Sequence, residues 1–333
     1  MSYQLSISRW ILSLIVLCIM NICEADARQP VRFILTPTWS SQAQFAGYYV
    51  AMEKGFFKAA GLDVSIRHLK TSTKKTPVDM LQQGECNIIC ISLMQAIKAQ
   101  DKGRKLVNIL QTSQNSGLMC ASQNRLSDFQ SLKGKKIGTW KTGYKEIADY
   151  AFWKSGVNVE WIPFLKGVNL FLSKAVDATL CYSYNEFIQL LMARGDIPSE
   201  NIISFAQTPY NLPEEGLYVN KTFYNSHRDD LKKFANACKK GWNYCRTHKD
   251  EALQIVLRYT KKANIATNVF HQRRMLDEVL RLQQDTPSAI AHRPGDSTFT
   301  PISRATFRKA IEMLRSTSAI SNVIKYEDMF MQR

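Results

Sequence analysis

The chain has 333 residues, 45% of them hydrophobic, and a formal net charge of +16. That length holds one large or two ordinary domains. The basic excess points to anionic surroundings, whether a membrane face, an anionic ligand or an acidic partner. Lys and Arg are nevertheless scattered, with local runs only at Lys133–Lys136 and Arg273-Arg274. That excludes a concentrated nucleic-acid-binding stripe and leaves a solvated basic surface.

Taken in order, residues 1–27 read as a secretory signal peptide. Arg9 supplies the charge, Trp10 to Ile22 the apolar core, and Ala25-Asp26-Ala27 the small-residue cleavage site. Cys23 offers a lipid anchor instead, but Ile22 is a poor residue to precede a lipidated cysteine. No later run approaches ~18 uninterrupted apolar residues, so the mature chain is expected to be soluble. Cleavage leaves Cys86, Cys90, Cys120, Cys181, Cys238 and Cys245. None forms a CxxC pair, and the histidines lack zinc-site spacing. Cys238 and Cys245 lie two helical turns apart, too far to bridge each other. Buried free thiols are expected, with one disulfide left open.

Val31 to Leu35 predicts a strand, followed by a polar loop of Trp39, Ser40, Ser41, Gln42 and Gln44 with one large aromatic in it. A helix follows from Ala46 to Phe57, with Tyr49, Val50, Phe56 and Phe57 as its candidate buried side. Gly61 ends the turn after it, and Leu62 to Ile66 alternates as a half-buried strand would. In such a βαβ unit the loop beyond the strand's carboxyl end is where ligands bind. A lone Trp can simply pack on a sheet; the amides and hydroxyls beside it favour a site.

Beyond a polar link, Lys70 to Thr76, come a helix from Val78 to Gln83 and a buried strand from Cys86 to Ile91. Ser92 stands at the N-cap of a helix reaching Gln100. Leu106 to Gln111 and Leu118 to Ser122 are strands, the second leading across to another domain. Strand Lys136 to Thr139 runs into Trp140-Lys141-Thr142-Gly143-Tyr144 and a helix from Lys145 to Trp153. The amides at that helix start, with Thr142 and Gly143, would cradle anionic or carbonyl oxygens. Further elements are strand Val159–Pro163, helix Leu170–Val176 and strand Asp177–Cys181. Tyr182-Ser183-Tyr184-Asn185-Glu186 and a helix from Phe187 to Ala193 make a second polar–aromatic focus. Strands Ile202–Phe205 and Glu215–Val219 return the chain. Amphipathic helices follow at Arg228–His248, Lys249–Tyr259 and Ala266–Gln284. A Pro-, Ser- and Thr-rich loop, Pro287 to Pro301, precedes helices Ile302–Arg315 and Ile324–Phe330.

The run GYYVAMEKGFFKAAGLDVSI, preceded by Trp39, carries a resemblance. Trp39, Gly47, Tyr49, Val50, Ala51, Glu53, Lys54, Gly55, Phe57, Gly61, Leu62, Asp63 and Val64 match positions of the thiamine-pyrimidine-precursor and alkanesulfonate-type periplasmic binding proteins. Leu132-Lys133-Gly134-Lys135-Lys136-Ile137-Gly138 and Val176-Asp177-Ala178 are also similar to that family, which includes the fungal thiamine pyrimidine synthase. The resemblance implies an α/β, two-lobed, type II clamshell, each lobe a mixed sheet flanked by helices. Lobe 1 would take residues 28–119, lobe 2 residues 120–207, and 208–333 the hinge return and C-terminal helices of lobe 1. It implies ligand contacts from Trp39, Gln44 and Ser92 in lobe 1. Lobe 2 would add Thr142, Gly143, Tyr144, Tyr182, Tyr184, Asn185 and Glu186.

A carboxylate can pair with the exocyclic amine and ring nitrogen of an aminopyrimidine while an aromatic ring covers its face. Glu186 has that chemistry, and it would repel a sulfonate. Its alternative is a helix-start carboxylate favoured by the macrodipole. The chain departs from the thiamine-precursor pattern at Ser41-Gln42-Ala43-Gln44-Phe45, where Pro-Asn-Thr-Asn-His is usual. Alignment puts the synthase's lysine at Ile91 and its histidine at Gln95, and Asn211–Tyr218 lacks its cysteines, so imine chemistry has no amine. HExxH, Walker and GxSxG motifs are absent from the sequence. His68, His227, His248, His271 and His292 read as surface or helix histidines. The expectation is therefore a periplasmic solute-binding protein for a thiamine-related aminopyrimidine, without enzyme activity, cofactor or metal. It would be a monomer with an ABC permease or membrane sensor as partner and no nucleic acid. A sulfonate or flavin ligand and the synthase are the alternatives.

Overall fold

The computed structural model describes residues 31–69, 75–141, 143–165, 167–284 and 299–331. The expected signal peptide with Cys23, Thr142, and most of the Pro287–Pro301 loop with His292 lie outside these residues.

Among the described residues, ten strands form two five-stranded sheets. They are β1 (Arg32–Pro37), β2 (Asp63–Ile66), β3 (Ile88–Ser92), β4 (Leu106–Gln111), β5 (Leu118–Ser122), β6 (Lys136–Trp140), β7 (Glu160–Phe164), β8 (Ala178–Tyr182), β9 (Ile202–Ser204) and β10 (Glu215–Asn220). The first sheet has the order β2-β1-β3-β10-β4 and the second β7-β6-β8-β5-β9. In the first, β1 and β3 run parallel while β10 is antiparallel to both β3 and β4. In the second, β6 is parallel to β7 and β8, and β5 is antiparallel to β8 and β9. Each sheet thus holds one strand that enters against the grain. The chain passes between sheets twice, from β4 to β5 and from β9 to β10.

Local sequence explains most of these elements. Ile88 to Ile91 and Leu106 to Gln111 are buried at every position, Asn108 and Gln111 included, as strands of a sheet covered on both faces are. Thr76 caps the Pro77–Gln82 helix through a reciprocal box with Asp79. Asn220, Asn268 and Ser303 accept from backbone amides at the starts of their helices.

The helix expected over Ala46–Phe57 is two helices. Ala46–Glu53 ends at Lys54, Gly55 takes φ +70°, and Phe56–Ala59 restarts. Ala46 to Ala51 is buried all round, so no amphipathic stripe marks its ends. Gly47 packs against the Trp242 ring of the Arg228–Thr247 helix, where a Cβ would come within 2.2 Å of the indole. The helix expected over Leu170–Val176 covers only Asn169–Leu172, and a short helix at Lys221–Ser226 was not foreseen. Cys86, Cys90, Cys120, Cys181, Cys238 and Cys245 are buried and unbridged.

Candidate functional site

Parallel strands put their carboxyl ends on one edge of a sheet, and there the two sheets meet. The loop after β1 brings Thr38 to Gln44, the turn after β6 brings Gly143 and Tyr144, and the turn after β8 brings Ser183 to Asn185. Between the first and the last of these opens a cavity of about 660 Å³, while Tyr144 borders only smaller spaces beside it. Trp39, Ser40, Ser41 and Gln42 line one wall, and Asn185, Glu186, Gln189 and Met192 the other. Residues 265–268 with His271 and Gln272 close a third side. A smaller inner space of about 30 Å³ lies deeper, among Gln44, Trp140, Tyr144, Tyr182 and Tyr184.

Most of the residues singled out in the sequence meet here. The Trp39 and Tyr144 rings stand edge to face at 6.3 Å across the cleft, beside a 2.9 Å hydrogen bond between the Thr38 and Tyr144 hydroxyls. Tyr182 and Tyr184 stack at 5.0 Å, and Trp140 leans on Tyr182 at 5.1 Å. The Gln44 amide donates to the Tyr184 hydroxyl at 3.2 Å and to the Glu215 carboxyl, while Gln42 donates to the Gln44 carbonyl. Burial raises the Tyr144, Tyr182 and Tyr184 phenols, so they stay protonated. Gly143 and Tyr144 take φ of +72° and +68° in succession. For Tyr144 that is an unusual backbone, held by the bonds its ring and hydroxyl make across the cleft.

Glu186 is 3% exposed and borders both spaces. One carboxylate oxygen accepts from Trp140 Nε1 at 3.2 Å and Asn185 Nδ2 at 2.9 Å, the other from the Tyr182 amide at 3.1 Å. Burial raises its pKa, opposed by those donors. Glu186 is also the first residue of the Glu186–Arg194 helix, where a negative charge is favoured. The helix-start reading of this residue holds, and its carboxylate also borders the cavity. Ser92 is the helix cap its position predicts, accepting from the Gln95 amide at 3.2 Å. It borders a separate space of about 10 Å³ rather than the large cavity.

Several residues here were not singled out. Glu214 and Glu215 stand where β10 re-enters the first sheet. Glu214 accepts from the Ser116 hydroxyl and, at 2.9 Å, from the Gly117 amide. Glu215, held by Gln44, is pushed up to about 8 by burial and by Glu214 beside it. Two acids just before an apolar strand were the available signal. His68 departs from the surface-or-helix expectation, while His271 is a helix histidine as expected. His68 is partly buried behind the Trp39 loop. His271 is on a helix but lines the large cavity, its Nε2–H donating to the Asn185 carbonyl at 3.2 Å.

A family profile described as "NMT1/THI5 like" matches residues 42–252. YtlA of Bacillus subtilis (strain 168) is 23% identical over 222 residues, 61% of this chain and 63% of YtlA, so the chain matches less than two thirds of that relative's length. Riboflavin-binding protein RibY of Chloroflexus aurantiacus is 23% identical over 266 residues, 77% of this chain and 74% of RibY. In shape, the chain is similar to the periplasmic aliphatic sulphonate binding protein SsuA of Escherichia coli. The TM-score is 0.67 with 11% identity, over 91% of this chain and 93% of SsuA. At that identity the likeness speaks for the fold alone: the periplasmic-binding-protein clamshell.

Proposed function

The chain belongs to the NMT1/THI5-like family, and from that premise we propose that it is an exported solute-binding protein for a flat nitrogen heterocycle. A thiamine-related aminopyrimidine is the first candidate, delivered to an ABC-type permease. The observation that carries this reading is the lining of the cleft. It offers aromatic rings, neutral amides and hydroxyls and one carboxylate, with no Lys or Arg among its described residues. Rings cover a flat ligand's faces, and acceptors meet its N–H groups. A sulfonate, carrying a full charge and only acceptors, would find no cation among those described residues to offset its desolvation. About 660 Å³ is the size of a small-molecule site. Ligand bound to both walls would favour their approach, the usual gain in a hinged binder.

A flavin is the second reading. It is favoured by a cavity larger than one pyrimidine ring needs and by the likeness to RibY. The synthase reading lacks its amine, since Ile91 is a core residue of β3 and Gln95 is engaged in the Ser92 cap.

The test uses protein stripped of ligand by unfolding and refolding, then screened by thermal shift and calorimetry. The probes are 4-amino-5-hydroxymethyl-2-methylpyrimidine, riboflavin and butanesulfonate. Stabilisation by either heterocycle, without stabilisation by the sulfonate, is the expected result. Stabilisation by the sulfonate alone overturns the proposal.

A further inference from the structure

Behind the Trp39 loop, two side chains determine which way one hydroxyl of the cleft wall points. His68 follows β2 and reaches under the loop. Its Nδ1 lies 2.7 Å from the Trp39 carbonyl oxygen, and its Nε2 lies 2.8 Å from the Tyr49 hydroxyl. That hydroxyl lies 3.0 Å from Ser41 Oγ. Ser41 lines the large cavity and is itself 1% exposed, so bulk water contributes little there. Packing holds the relay in place: Tyr49 stacks on Tyr259 at 4.2 Å, and Phe45 tilts against the His68 ring at 5.6 Å.

The hydrogens follow from the partners. A carbonyl oxygen only accepts, so Nδ1 of His68 carries a proton. Burial disfavours the imidazolium. Nε2 is then a lone pair and accepts the Tyr49 hydrogen. With that hydrogen committed, the Tyr49 oxygen can only accept, and the hydrogen between Tyr49 and Ser41 must come from Ser41. The serine is left with lone pairs alone to offer.

We propose that His68 and Tyr49 are positioning residues that make Ser41 an acceptor-only group on the cleft wall, selecting a ligand that presents an N–H or O–H donor there. This rests on the cleft being the ligand site, and it names the feature of the ligand that the site reads. An exocyclic amine or a ring N–H meets a lone pair. A sulfonate oxygen sets lone pair against lone pair, which discriminates by repulsion as well as by attraction.

Two measurements separate this relay from the reading of the ligand. Nitrogen NMR of the histidine rings in the ligand-free full chain, at about pH 7.5 where a histidine shielded from water is neutral, reports the tautomer. The His68 signal is identified by its loss in His68→Gln. A protonated Nδ1 with a bare Nε2 is expected. The opposite tautomer overturns the relay, whatever the protein binds.

The second measurement is selectivity. Tyr49→Phe keeps the ring on Tyr259 and removes the phenol, which frees the Ser41 hydrogen to turn towards the cavity. Calorimetry should then show the affinity ratio of the aminopyrimidine to butanesulfonate falling about tenfold, the worth of roughly one hydrogen bond. Ser41→Ala should lower the same ratio without touching His68. A merely structural role would weaken both probes together and leave the ratio alone, and that result in either variant overturns the proposal. The expected tautomer with sulfonate-only binding would overturn the ligand reading and the selectivity. The opposite tautomer with heterocycle binding would remove the relay alone.

Discussion

On the wall carried by the first sheet, several polar groups between Thr38 and Gln44 find partners on other elements. Ser41 bonds Tyr49, which in turn bonds His68; Gln44 reaches Tyr184 and Glu215, and the Ala43 amide reaches Gln272 at 2.7 Å. On the opposite wall, Glu186 closes two of its bonds within four residues, to Asn185 and the Tyr182 amide, and only Trp140 Nε1 is distant. The first wall is held by tertiary packing, the second largely by a local turn and a helix start. An acid on a pocket wall is therefore not recognition by default. Its lone pairs have first to be counted against the donors of its own wall.

The first wall should be the easier to break from a distance. The Ala46–Glu53 helix follows directly from the loop, and a Cβ on Gly241 would lie 2.0 Å from the Gly47 carbonyl oxygen. Backbone cannot yield as a flexible side chain does. Gly241→Ala should cost about 3 kcal/mol or more, measured by urea unfolding. A variant within error of the parent would show that the two helices are free to separate and that the first wall does not depend on their contact.

Glu186 sharpens the other half of the comparison. Glu186→Ala should leave Trp140 Nε1–H and the Tyr182 amide without acceptors, at about 2–4 kcal/mol of stability. Glu186→Gln keeps the volume and one acceptor and should cost less. If unfolding hardly changes while heterocycle affinity falls by about 1.5–3 kcal/mol, the carboxylate faces the ligand and not its own wall.

Where β10 re-enters the first sheet, Glu215 makes a pH test. Its carboxyl is pushed from 4.5 to about 8, by burial first and then by Glu214, against the Gln44 amide. Tyr48, Tyr144, Tyr184 and Cys90 all feel its charge. A raised carboxyl pKa means the folded state holds a proton the unfolded state has lost. The native fold is therefore progressively destabilised as pH rises from 4.5 towards 8. Glu215→Gln should remove that slope, gaining about 1–3 kcal/mol at high pH relative to low pH once partial solvent screening is allowed for. Unfolding midpoints between about pH 5 and pH 8.5 would check it, and parallel curves for parent and variant would place the carboxyl in water.

What could be read from residues alone follows the same division. The limits of Leu106–Gln111 and Leu118–Ser122 agree with β4 and β5, because short, mostly apolar runs are local signals. The cap at Ser92 and the helix start at Glu186 are local too. The interruption at Gly55 was hidden, since a helix buried on every side carries no stripe to end. Glu215 meets Gln44 across a separation of 171 residues, and His68 meets Trp39 across 29. No spacing rule reports such pairs, because they exist only once the sheets have formed. The aromatic residues were legible as a cluster. The polarity of the hydroxyl beside them was not.

Ser92 isolates the purely local kind of contribution, and it carries the smallest effect. Its hydroxyl accepts from the Gln95 amide while the Gln95 side chain accepts from the Ser92 amide at 3.2 Å, a closed reciprocal pair. Ser92→Ala should cost about 1 kcal/mol of stability, the usual worth of such a cap, and leave ligand affinity unchanged. Ser92→Asp, which caps equally well, should restore stability. Were the serine instead a ligand contact, alanine would weaken binding with little effect on unfolding, and aspartate, bringing a charge to the cleft edge, would not restore it. Chemical unfolding and calorimetry on the two variants separate these patterns. The comparison of walls predicts the first, because the space beside Ser92 is too small for anything but a water molecule.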